Sequence, residues 1–286
     1  MKTIFVFFFF LFCACSSVPT TETSQESVKL ESMKEVSKDV KPVDETQIQD
    51  IKEEVSIGRM MASKMLGTFG YLENHEEAQK YVQLVGGSLV KQYGRSELTY
   101  YFSVLDDKDP NAFATPGGYI FVTRGLLAIL KDQSELAGVL AHEIVHVNNK
   151  HMYLRVRPQR KTSTGETLSR VLSRGAGDIG KSLAQAVSAG MKTLLEEGLG
   201  QASEQDADAV GVIYASNAGY DSEGLVRVLG RLAKLNDKTV FNKTHPPFEA
   251  RIEVINRVIG AEGLPRKGTL DESVLKQRFS STMLKL

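Results

Sequence analysis

Three of the five histidines in this 286-residue chain, His142, His146 and His151, fall within ten positions. The first two close the run His142-Glu143-Ile144-Val145-His146. On a helix, residues four apart share one face a turn away from each other. Two imidazoles so placed can both reach one zinc ion at about 2.0–2.1 Å. Glu143 points to the neighbouring side, where it can hold a water at the metal and take its proton. Leu136, Val139, Leu140 and Val147 are spaced to bury the same helix. The alternative is a buried helix carrying two hydrogen-bonded histidines and no metal.

A catalytic zinc site needs a third protein ligand and one open position. Glu204-Gln205-Asp206-Ala207-Asp208 offers one. Glu204 and Asp208 are again four apart, Glu204 read as the ligand and Asp208 as the acceptor that orients His142 through its other ring nitrogen. A Glu-x-x-x-Asp helix is also an ordinary solvated acidic face. Here Ala202, Ala207, Ala209 and Val210 give that helix a packed side.

The elements that must position these groups follow from periodicity. Ile51, Val55, Met61 and Met65 form a helical stripe that ends near Gly67 and Gly70, and a second helix is predicted over 76–93. Residues 98–105 and 119–123 are β-branched and aromatic and read as strands, expected to pair antiparallel across a turn at 106–111. The metal helix is predicted from Gln133 to Lys150, opened by Asp132 with Glu135 three residues on, a capping box. Further helices are expected near 201–216, 222–236 and 247–260. The fold class is α+β, mostly helical with one small antiparallel sheet.

With these motifs in place the chain resembles the family of HExxH zinc metallopeptidases that includes the HtpX heat-shock protease and the CAAX prenyl proteases. It is most similar to the soluble periplasmic lipoprotein branch, BepA-like without the TPR domain. The resemblance covers roughly 50–260 and rests on particular residues. These are Gly58-Arg59, the run Asn111 to Ile120, Arg124-Gly125-Leu126-Leu127, the His142–His146 motif, Glu204 with Ala207-Asp208, and His245-Pro246 with Arg251. It implies a zincin-type domain of the gluzincin kind holding one Zn2+ per chain, with a zinc-dependent endopeptidase activity. It also implies that Asn111, Ala112, Phe113 and Ala114 lie along the cleft as an edge that pairs with an extended peptide. From the residues alone, a hairpin loop followed by a core strand is an equal reading. By the same resemblance His245 and Arg251 would face the oxyanion of the tetrahedral intermediate. A loop His245 able to swing onto the open metal position, under a gate formed by 155–200, is the competing role for that residue. His151 reads as a helix-end residue and His75 as a surface one.

The chain opens with Lys2 and an apolar run, Ile4 to Phe12, too short to span a bilayer, which reads as a signal peptide over 1–14. Phe12-Cys13-Ala14-Cys15 resembles a bacterial lipobox with lipidation at Cys15, and a multiply acylated cysteine anchors stably. Residues 15–47, rich in Ser, Thr, Glu and Lys, read as a disordered tether. Residues 48–263 are the catalytic domain and 264–286 a C-terminal tail. Lys plus Arg and Asp plus Glu both number 35, and no basic tract argues for a nucleic-acid partner. The expected location is the bacterial cell envelope, lipid-anchored and facing the periplasm, with outer-membrane sorting implied by Ser16. The expected substrates are envelope proteins, misfolded or misassembled outer-membrane proteins among them. The alternative function is a non-proteolytic chaperone or assembly factor for the same clients.

Overall fold

The computed structural model describes residues 45–157, 176–235 and 244–283. The signal segment, Cys15 and all but the last three residues of the tether lie outside the described residues. By its contacts the chain divides into Met1–Gln47 and Ile48–Leu286, and the account below is of the second unit.

Helix α1, Glu45–Phe69, and helix α2, Glu76–Tyr93, lead into strand β1, Tyr101–Leu105. Strands β2, Ala112–Thr115, and β3, Tyr119–Thr123, follow, joined by a short 3-10 turn at Pro116–Gly118. Helix α3 spans Arg124–Ile129 and helix α4 Gln133–Asn148, followed by α5, His151–Val156. Helix α6, Ala176–Lys192, runs into a π-helical turn at Thr193–Glu197. Helices α7, Gln201–Asn217, α8, Gly224–Leu232, α9, Phe248–Ala261, and α10, Glu272–Met283, complete the described residues.

The mostly helical α+β class expected from the sequence is what the chain adopts, and the small sheet is mixed. The two strands read from the sequence, β1 and β3, pair in parallel, Tyr101 opposite Tyr119 through Leu105 opposite Thr123. The reason is a second reversal. The chain turns once after β1 and again at Pro116–Gly118, so β2 lies antiparallel to β3 and β1 runs the same way as β3. β3 is the middle strand and β2 an edge.

Alternation along the strands separates two apolar layers. Phe102, Val104, Ala112, Ala114, Ile120 and Val122 join the larger core with α2, α4, α8 and α9, while Phe113, Phe121 and Leu105 join a second with α1, α5 and α6. Because both faces are covered, every residue of β2 is buried. In α10, Leu275 and Phe279 are buried against the larger core.

Helix α4 is the centre of the unit, and every residue from Gln133 to Val147 is buried. A helix surrounded on all sides is apolar all round, and beyond the first turn, Gln133 to Glu135, the exceptions are His142, Glu143 and His146, the groups that carry chemistry. Its N-terminus is capped by Asp132, which accepts from the Glu135 backbone N–H at 3.0 Å, while Glu135 reaches one residue further back than a capping box and accepts from the Lys131 N–H at 2.7 Å. Two close approaches set the site. A Cβ on Gly211 would lie 3.0 Å from the Cα and backbone nitrogen of His142, so the lack of one lets α7 lie directly on α4. A Cβ on Gly58 would meet the Pro116 carbonyl oxygen at 1.7 Å, so α1 can seat the β2–β3 turn only with glycine there. Among the described residues no helix is long and apolar enough to cross a membrane.

Candidate metal centre

The i, i+4 spacing on α4 and on α7 brings three donors together. The ligand atoms of His142, His146 and Glu204 all lie within 4.8 Å of one another, all in buried residues. The two Nε2 atoms are 3.0 Å apart. Glu204 spans them, Oε1 3.4 Å from His146 Nε2 and Oε2 3.6 Å from His142 Nε2. Its Oε2 is buried and makes no hydrogen bond. Such an atom is costly unless something electropositive faces it. Two imidazole nitrogens and one carboxylate oxygen match the donor set of a three-ligand zinc site, so the residues present fit a divalent metal.

Asp208, one turn beyond Glu204, sits behind His142 with Oδ1 3.0 Å from Nδ1. Arg251, from α9, grips the same carboxylate with two donors, Nε to Oδ2 at 2.8 Å and Nη2 to Oδ1 at 2.7 Å. Its Nη1 lies 3.8 Å from Glu204 Oε2. Arg251 is therefore bound into the layer behind the donors, 2% exposed. His245 stands on the cleft side, Nε2 3.6 Å from Glu204 Oε2 and Nδ1 3.0 Å from the Thr244 hydroxyl.

The electrostatics match a site built for a cation. Burial raises the cost of ionising Glu204, but His245, His142, His146 and Arg251 outweigh it and hold the carboxyl well below its ordinary range. Asp208 is likewise opposed by burial yet lowered to about 2 by Arg251 and His142. Burial and the Arg251 charge press the His142 imidazolium down, while the carboxylates of Asp208 and Glu204 lift its pKa to about 9. Burial above all keeps His146 neutral. Without metal, a proton on His142 Nε2 thus points at the bare Nε2 of His146 and occupies the place a metal would take. Burial also lifts Glu143, to about 7, with His142 opposing it and Glu204 adding to it.

Two cavities meet at Glu143. One of about 330 Å³ runs beside Ala112, Phe113, Ala114, His146 and Glu204 and is roofed by Thr193 and Leu194 of the π-helical turn. The other, of about 310 Å³, is walled by Leu126, Val139, Leu225, Val228, Leu229 and Leu232. Ala112, Glu143 and His245 border both. The cleft residues expected at 111–114 thus form the edge strand β2 and the residue before it. Thr123 N–H donates to Asn111 O, and in an antiparallel ladder bonded and non-bonded residues alternate. The backbone groups of Ala112 and Ala114 accordingly point away from β3. Asn111 Oδ1 accepts the Ala112 N–H at 2.9 Å. Of the expected covering segment 155–200, residues 158–175 lie outside the described residues, and Thr193, Leu194, Gly198 and Leu199 border the cleft.

Three features escaped the sequence reading. The apolar wall of the second cavity comes from α3, α4 and α8, whose residues read as plain core. Arg251 was expected to reach the site from the C-terminal part, and no spacing could disclose its grip on Asp208. His151 and Asp206 meet beside His146, and only the scarcity of histidine in the chain hinted at that.

Comparison with known proteins places this geometry. The chain is 25% identical over 213 residues to the beta-barrel assembly-enhancing protease of Escherichia coli (strain K12), covering 71% of this chain and 43% of that protein. It is 28% identical over 192 residues to the mitochondrial metalloendopeptidase OMA1 of Schizosaccharomyces pombe, covering 64% of this chain and 54% of the relative. It is 29% identical over 167 residues to the metalloprotease LoiP of Escherichia coli (strain K12), covering 57% and 64%. The chain thus spans less than half the length of the assembly-enhancing protease it matches. The model of peptidase family M48 matches residues 76–259, a stretch that holds α4, α7, His245 and Arg251. By that match, with the buried donor cluster lying inside it, the chain belongs to peptidase family M48.

Proposed function

We propose that this protein is a zinc-dependent endopeptidase of the bacterial cell envelope that cleaves extended segments of envelope proteins. The observation that carries this reading is the convergence of His142, His146 and Glu204 within 4.8 Å, beside a buried Glu143 at the seam of two cavities. Zinc bound there would polarise the scissile carbonyl and acidify the attacking water.

The remaining steps belong to the chain's own residues. The free edge of β2 receives the substrate backbone as an added strand, its Ala114 N–H and the carbonyls of Ala112 and Ala114 pairing with peptide. Such pairing reads backbone more than side chains and suits many clients. Glu143 takes the proton of the attacking water and delivers it to the leaving amine, and burial, which raises the affinity of its carboxylate for a proton, suits a group that must do both. Asp208 holds the His142 proton on Nδ1, and Arg251 fixes Asp208. Because Arg251 is bound to that carboxylate by two donors and borders one cavity while His245 borders both, we assign the oxyanion to His245.

The purified full chain should carry one zinc per molecule and cleave an unstructured protein such as casein. Removal of the metal with phenanthroline should abolish cleavage and zinc readdition restore it. Protein purified gently without stoichiometric metal would refute the site.

The reading extends to place. A signal peptide over 1–14 and lipidation at Cys15 would tether the domain to a membrane, the outer membrane by the Ser16 signal, facing the periplasm. Misassembled outer-membrane proteins are then its substrates, as the name of the assembly-enhancing relative suggests. Cys15→Ser should move the protein from the membrane fraction to the soluble envelope fraction. Palmitate labelling that survives this change would refute Cys15 as the anchor.

A further inference from the structure

We propose that His151 is a positioning residue for the metal site: backed by Asp206, it holds the His146 proton on Nδ1 and turns the Nε2 lone pair of His146 toward His142 and Glu204. This rests on the metal-site reading above.

His151 is five residues beyond His146, a spacing at which an unbroken helix would not bring the two rings face to face. The chain breaks there. Asn149 ends α4, Lys150 takes a left-handed conformation with φ of 56°, and His151 opens α5. The reversal sets His151 Nδ1 2.9 Å from His146 Nδ1, with ring centroids 5.0 Å apart and planes at 73°. At that distance one of the two nitrogens must carry a hydrogen.

The hydrogens can be placed from the outside inward. His151 Nε2 is 3.2 Å from Asp206 Oδ2. An ionised carboxylate only accepts, so His151 carries its hydrogen on Nε2. At the inner end, His146 Nε2 stands among the donors, 3.0 Å from His142 Nε2 and 3.4 Å from Glu204 Oε1, and can bind a metal only through a bare lone pair. The donor between the rings is then His146 Nδ1–H. His151 Nδ1 accepts that hydrogen and so keeps the Nε2 lone pair of His146 turned into the donor cluster. Asn149 Nδ2 donates to the same Asp206 oxygen at 2.5 Å and pins the outermost link.

The two histidine donors are thus oriented by different means. His142 has a buried carboxylate directly behind it, whereas His146 has a neutral imidazole relaying a carboxylate whose side chain is 41% exposed. Partners that fix a ligand's tautomer typically contribute 10–100-fold in metal affinity.

The test uses the full chain, before and after zinc loading. Imidazole nitrogen NMR should place the His146 proton on Nδ1 in both states. Zinc competition against a chelator should show dissociation roughly 10–100-fold weaker in His151→Phe. His151→Asn, whose amide oxygen takes the place of Nδ1, should recover most of that loss, a rescue that a mere packing role would not give. A His146 proton on Nε2, an unchanged affinity in His151→Phe, or an Asn variant no better than Phe would each overturn the proposal. Wild type that takes up no zinc would refute the metal site itself, and the proton position in the metal-free chain would still decide the role of His151.

Discussion

Glu143→Gln should keep the fold and the bound metal and lose hydrolysis by roughly 10²–10⁴-fold, the range for removal of a general acid–base group. Glutamine matches glutamate in size and can still hydrogen-bond a water, but it accepts no proton. The substitution touches no donor of the cluster, because Glu143 lies at the junction of the two cavities and not among the three converging atoms. Replacing a buried carboxyl already pushed up to about 7 removes an unfavourable charge, so stability should hold or rise slightly. The measurement is casein turnover beside metal analysis on the same sample. Near-normal turnover with zinc retained would end the proposed mechanism. In the same assay His245→Ala should slow cleavage by roughly 10²–10³-fold, the cost of one oxyanion donor. Faster cleavage there would instead make His245 a group that blocks the metal. The variant also separates protease from assembly factor. A chaperone that binds clients without cutting them would still complement a deletion strain as Glu143→Gln.

What could be read from the sequence was local. The spacing of His142, His146, Glu204 and Asp208 needs only helical geometry to become two faces, and the Asp132–Glu135 cap needs only one turn. The class followed from the periods of the segments. The sheet did not, because parallel pairing of β1 with β3 depends on how many times the chain reverses between them, and β2, short and buried on both faces, carries no polar–apolar alternation to mark it as a strand. His151 was opaque for a related reason. Its approach to His146 depends on a left-handed Lys150, a conformation that residue type rarely signals. The layer behind the donors depends on α7 lying against α4 at Gly211 and on α9 delivering Arg251, contacts between elements distant in the chain.

That layer sets the second large effect. Arg251→Met should destabilise the protein by about 3–5 kcal/mol at neutral pH, the usual cost of breaking a buried ion pair from one side. Asp208 has no exposed surface, and the guanidinium that grips it with two donors also lies near Glu204. Methionine fills much of the space and supplies no charge, leaving a buried carboxylate answered by His142 alone. The loss should therefore exceed what the packing change accounts for. The double variant Asp208→Asn/Arg251→Met should recover a substantial part, since removing both partners removes the stranded charge. The pH dependence has a definite sign. In wild type the folded Asp208 pKa of about 2 lies below the unfolded value of about 3.9. Its contribution is complete above that unfolded value and is lost as pH falls toward 2. In Arg251→Met burial favours the protonated carboxyl, so the gap between variant and wild type should narrow as the medium is acidified from neutrality. Urea unfolding of the metal-free chains at neutral and mildly acidic pH measures this directly. A variant as stable as wild type at neutral pH, or a double variant no better than the single one, would show that Arg251 does not hold this layer together.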